Sequence, residues 1–249
     1  MARPQPKSRH PTTVKELRPF PRLKLVSEGR VVFETISLWL SLPRIRKEAP
    51  KGQGRPVLVV PGFSTGDCWT SKLRNFIASI GYQVKGCALR RIGGDVSDLI
   101  PLLTSQTERF ARESNARVRL VGWSLGGYLA REAARDRPDL VEKVITLGTP
   151  VVGGPKYTAA ARILRRRGYD VEAMAAEARQ RQQTPIQVPI AAVFSRIDGV
   201  VTWEACIDYE NPNVEHVEVT SSHLGLIFNA DVYRVVAQVL DRAEPGRPG

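Results

Sequence analysis

The 249-residue chain predicts an α/β protein with a mostly parallel central sheet flanked by helices. Three observations carry that expectation. Short apolar runs alternate with longer helical patterns, the order that builds parallel strands joined by crossover helices. One run, Val118-Arg119-Leu120-Val121, passes straight into Gly122-Trp123-Ser124-Leu125-Gly126 and then into a helical pattern, a sharp strand-to-helix reversal. A hydrophobic fraction of 42% in a chain of this length can fill one sizeable core.

Taken in order, the elements are a strand at 56–60, a helix at 69–80 and a strand at 82–89. A helix at 95–113, a strand at 118–122, a helix at 125–136 and a strand at 143–147 follow. Between Pro150 and Pro189 two helical patterns, 157–167 and 171–181, are split by Gly168. Strands at 190–195 and 214–219 and a helix near 230–242 complete the series. The boundaries expected are a basic arm and packing helix at 1–51, a central domain at 52–242 with a helical insertion at 151–188, and a flexible Pro- and Gly-rich tail at 243–249.

The formal net charge of +12 is unevenly placed. Residues 1–51 hold 12 Lys/Arg against 4 Asp/Glu, whereas residues 52–249 hold 25 against 21. The basicity is therefore mostly that of an arm, which reads as a solvated tail able to make weak contact with an anionic membrane surface. No nucleic-acid partner is expected. The apolar run 31–42 contains Glu34 and is too short to span a bilayer, so it reads as a helix packed on the domain. No export signal is evident, and the expected location is the cytoplasm, at most peripheral to a membrane. Cys68, Cys87 and Cys206 have unpatterned spacing and read as free thiols, with Cys68 expected to be buried at the start of a helix. No Cys/His cluster has metal-ligand spacing, and no cofactor is expected.

The Gly-x-Ser-x-Gly turn has a steric logic. A reversal this tight strains the backbone at Ser124 and lifts its hydroxyl above the sheet, while Gly122 and Gly126 leave room that side chains would fill. A hydroxyl nucleophile needs a base, and the chain offers three histidines. His10 lies in the basic arm, and His216 sits inside the strand-like alternation 214–219. His223 follows that strand in Ser221-Ser222-His223-Leu224-Gly225, a loop at a strand end, where α/β proteins present reacting groups. His223 is the expected base. A carboxylate should orient it. The buried run 189–194 ends in Ser195-Arg196-Ile197-Asp198-Gly199, and Asp198 is the expected acid, with Asp208 and Glu204 as weaker candidates. Donors for a developing oxyanion are expected at the backbone N–H of Leu125 and, in the loop Pro61-Gly62-Phe63 after the first strand, at Phe63.

These segments resemble the α/β-hydrolase superfamily, in particular compact lipases and esterases, over residues 56 to about 241. The order Ser124, Asp198, His223 matches that superfamily, while Pro61-Gly62 stands where many members have His-Gly. The resemblance implies a serine hydrolase of carboxylic esters acting on a small acyl ester or lipid, with no cofactor. A thioesterase or acyltransferase would use the same groups. A non-catalytic membrane-surface protein on the same scaffold is the alternative of a different class. The insertion at 151–188 is expected to sit as a cap above Ser124, its modest apolar stripes facing an acyl chain.

Overall fold

A computed structural model describes residues 27–88 and 96–243. The arm before residue 27, the segment 89–95 and the end of the tail lie outside the described residues.

Six strands form one sheet, each pairing parallel with its neighbours, in the order β2-β1-β3-β4-β5-β6. They are β1 (Pro56–Val60), β2 (Gln83–Gly86), β3 (Val118–Trp123), β4 (Val141–Leu147), β5 (Ile190–Phe194) and β6 (Val214–Glu218). The helices are α1 (Val31–Glu48), α2 (Ser71–Ser79), α3 (Val96–Ser114), α4 (Leu125–Asp136), α5 (Ala160–Arg166), α6 (Val171–Gln182) and α7 (Ala230–Asp241). The sheet is thus parallel throughout, and every expected element is present with its ends shifted by a few residues. The largest differences are α1, which runs on past Pro43, and β2, which is half the expected length.

Alternation within the strands explains the layers. In β1, Val57 and Val59 point into a core shared with α1, α2 and α7, while Leu58 and Val60 point into a second core against α3 and α4. A sheet covered on both faces buries every residue of β1, β3 and β5, which is why β1 and β5 read as continuous apolar runs, while β3 also buries Arg119, paired with Glu142. α7 is anchored at its start by Asn229, whose side chain accepts the N–H groups of Asp231 and Val232.

Chain order reverses direction across β1 and β3. A crevice opens above the carboxyl ends of strands at such a point, where open α/β sheets bind ligands. Ser124 stands immediately after β3, at that place.

Candidate active site

Ser124 caps α4 with φ 54° and ψ −122°, a backbone region that L-residues rarely occupy and that costs roughly 1–3 kcal/mol. The strain is held by neighbours: Ser124 N–H donates to Leu147 O at 2.8 Å, and its carbonyl accepts Thr149 Oγ1 at 3.0 Å. A Cβ at Gly122 would overlap the backbone of Gly126 and Gly127, and one at Gly126 would overlap the carbonyls of Val60 and Pro61. Two glycines therefore let β3 turn into α4 while α4 lies directly on β1.

Asp198 follows β5 and is 1% exposed. Its Oδ1 accepts the N–H groups of Val200 and Val201 at 2.8 and 2.7 Å, leaving Oδ2 to meet His223 Nδ1 at 2.7 Å. That contact fixes the imidazole with Nε2 available to a second partner. Burial disfavours the imidazolium, but the charge and hydrogen bond of Asp198, with the charge of Glu28, outweigh it and raise the His223 pKa above the ordinary value. Trp123 Nε1 donates to the His223 carbonyl at 3.1 Å and holds the loop from the other side. Ser124 and His223 line one cavity of about 330 Å³, together with Phe63 and Leu125. Among the described residues no hydrogen bond joins Ser124 to His223. Leu125 is the first residue of α4, where backbone N–H groups lack helical partners.

No family model and no curated protein matches the sequence. Solved structures do match the fold. The mature form of Bacillus licheniformis lipase BlEst2 has a TM-score of 0.62 at 17% identity, covering 78% of this chain and 94% of that one. Mouse alpha/beta hydrolase domain-containing protein 10 has a TM-score of 0.54 at 17% identity, covering 78% and 91%. A thioesterase domain from the curacin biosynthetic pathway has a TM-score of 0.51 at 16% identity, covering 77% and 92%. This chain has the α/β-hydrolase fold.

In this α/β-hydrolase scaffold two acids from the amino-terminal segment, unforeseen in the sequence, support the loops around His223. Glu28 Oε1 accepts the N–H of Gly199 and of His223, each at 2.9 Å, and its Oε2 accepts Leu224 N–H at 2.8 Å. One carboxylate thus ties the Asp198 loop to the His223 loop. Glu34, buried on α1, accepts Ser222 N–H at 2.9 Å and Ser222 Oγ at 2.7 Å. Gly148, after β4, is the other residue the sequence did not single out. With φ 57°, a Cβ there would sit 3.1 Å from both Asp198 Oδ2 and His223 Nδ1, so glycine leaves the pair its space. The only signals in sequence were an acid inside a basic stretch and a glycine ending a strand, neither of which names a partner.

The remaining candidates lie away from the Asp198–His223 pair. Asp208 pairs with Arg131 of α4 in the interior and also accepts Asn211 Nδ2 at 2.7 Å. Burial would raise the Asp208 pKa, but Arg131 and Asn211 hold its carboxyl below the usual range. The Asp208 N–H donates to His216 Nε2 at 2.9 Å, so His216 is spent on structure, half-buried on β6. Glu204 lies in a short turn after β5, Trp203–Cys206, whose Ala205 and Cys206 pack with Tyr157 and Phe194, and among the described residues no hydrogen bond joins it to His223. Cys68 is exposed, contrary to expectation, because α2 begins only at Ser71 and leaves the residue on the preceding loop. Cys87 and Cys206 are buried, and burial pushes the Cys206 thiol up. Among the described residues no group of His, Cys, Asp and Glu is arranged to hold a metal ion.

The inserted helices reach the cavity. Ile163 and Leu164 of α5 and Met174 and Ala178 of α6 line it together with Ser124, and Phe63 packs with Leu164 and Val171. Asp170 caps α6 by accepting the N–H groups of Glu172 and Ala173, both at 3.0 Å.

Proposed function

We propose that this chain is a serine hydrolase of carboxylic esters with an apolar acyl portion, using Ser124, His223 and Asp198 as its catalytic triad. The observation that carries the reading is the 2.7 Å contact of Asp198 with His223, beside a strained Ser124 on the wall of one cavity. In the reaction His223 Nε2 takes the proton of the Ser124 hydroxyl as its oxygen attacks the acyl carbon. Asp198 retains the Nδ1 proton contact and stabilises the imidazolium that forms. The oxyanion is held by the N–H groups of Leu125 and Phe63, each such donor being worth about 3–4 kcal/mol. His223 then protonates the departing alcohol. Water, deprotonated by the same imidazole, cleaves the acyl-enzyme and restores Ser124.

The α5–α6 pair serves as the cap, and its apolar wall favours an acyl chain over a charged one. The triad does not name the leaving group, so a thioester or an acceptor alcohol would use the same steps. A purely binding role is disfavoured because it has no use for backbone strain at a single serine.

Labelling by a fluorophosphonate probe tests the reading. We expect wild-type protein to be labelled and Ser124→Ala and His223→Ala not to be, while His216→Ala keeps most labelling and activity. Labelling of Ser124→Ala at the wild-type rate would overturn it. A panel of oxygen esters and thioesters of graded chain length then assigns the substrate class.

A further inference from the structure

Helix α1 is apolar on two opposite sides. Glu34, Leu38 and Ile45 face the interior. On the other side Val32, Phe33, Ile36, Trp39 and Leu40 are 59, 76, 52, 74 and 68% exposed. At about 100° per residue these five fall within an arc of roughly 120°, centred away from the buried stripe. A helix that meets only water on its outer face carries polar residues there, and an outward apolar stripe marks an interaction surface. Exposed Arg46 and Lys47 border the arc at the carboxyl end. Ahead of the helix, residues 1–30 hold 8 Lys/Arg against 2 Asp/Glu. No helix among the described residues is long and apolar enough to cross a membrane.

Charge decides what this face meets. A second copy would bring another chain of net charge +12 toward this face, and like charges oppose that approach. Anionic headgroups attract it, and cations beside an apolar helical stripe match the way interfacial helices lie in a bilayer surface. We propose that the outer face of α1 seats the protein on an anionic lipid surface. Phe33, Trp39 and Leu40 sit below the headgroups, and Lys47 and Arg46 lie among them with their aliphatic stems inward. The segment just ahead of α1 reaches the cavity wall, where Glu28 accepts the N–H of Leu224. The proposal stands apart from the hydrolase reading, since vesicle binding needs no working Ser124.

Flotation of the full-length protein with vesicles of phosphatidylcholine, alone or mixed with phosphatidylglycerol, tests it. We expect flotation only with the mixed vesicles. The double substitution Phe33→Ser with Trp39→Ser should lower partitioning at least about tenfold with the melting temperature unchanged. Arg46→Gln with Lys47→Gln should lower it several-fold and flatten its salt dependence. A Trp39→Phe control retains binding but loses part of the blue shift in tryptophan emission. Failure of the wild-type chain to float, or wild-type flotation of the Phe33→Ser, Trp39→Ser protein, overturns the proposal. So does a dimer in sedimentation that this double substitution breaks without any vesicle binding, which would give the face to a second copy.

Discussion

Asp198 has divided duties at its two oxygens, and the division sets what its replacement does. Oδ1 is taken by Val200 and Val201, so an amide at this position keeps the turn, yet it presents the wrong group or no charge to His223. Asp198→Asn is expected to preserve the fold and lower kcat by about 10⁴-fold, measured on a soluble ester. A mild loss would mean the imidazole takes its support elsewhere. Glu28 acts one step further out. Its charge helps hold the His223 pKa above the ordinary imidazole value, so the protonated form is favoured in the folded protein. That contribution to stability is present below the unfolded imidazole value and is lost as pH rises through the raised folded one. Catalysis needs the neutral ring, so activity rises with pH across the raised value. Glu28→Gln keeps an acceptor oxygen but removes the charge, and should shift the acid limb of kcat/KM toward lower pH. Glu28→Ala removes the acceptor from three backbone N–H groups and should also destabilise the chain by about 1–3 kcal/mol, read as a lower melting temperature. An unmoved pH profile in Glu28→Gln would show that the carboxylate acts on the loop only by shape.

Among the elements, α1 depends most on distant parts of the chain for its meaning. Its Glu34 is buried because Ser222, 188 residues away, gives it both an N–H and a hydroxyl donor. Glu34→Ala strands those donors beneath the helix, and a loss of about 1–3 kcal/mol in denaturant unfolding is expected, with reduced kcat through a loosened His223 loop. Glu34→Gln should recover most of the stability, since an amide oxygen can still accept. Equal loss in both would point to the charge rather than the hydrogen bonds. The core elements were far more legible. The strands β1 and β5 are buried on both faces, and that burial wrote itself into continuous apolar runs. β2 was overestimated because its apolar character continues into Cys87, a buried residue beyond the last ladder pair with β1.

For the molecule as a whole, the amino-terminal segment divides at Glu28. Removing residues 1–24 deletes 7 Lys/Arg and 1 Glu, taking the net charge from +12 to +6. That truncated chain keeps Glu28, Glu34 and α1, and should hydrolyse a small soluble ester at a near-normal rate while losing affinity for anionic vesicles. Removing residues 1–30 takes Glu28 as well, and should impair turnover on the same soluble ester. Comparison of the two truncations by kcat and vesicle flotation separates charge from support. Equal activity in both would mean that the Asp198 and His223 loops hold themselves together.

The sequence by itself determined the fold class and the turn at Ser124, and put forward the three side chains of the proposed triad. Each of those rests on local rules. Strand and helix periods repeat over a few residues, a tight reversal demands glycine at Gly122 and Gly126, and only three histidines were present to choose among. What the tertiary structure alone decided was which polar groups meet. Glu28 and Gly148 carried no reading in the sequence, Glu34 was only an acid inside an apolar run, and Asp208 was a weaker rival to Asp198. The contacts that engage them span 50 to 196 positions of chain. A carboxylate buried against a distant N–H leaves no period and no motif, because the requirement it satisfies belongs to a different part of the chain.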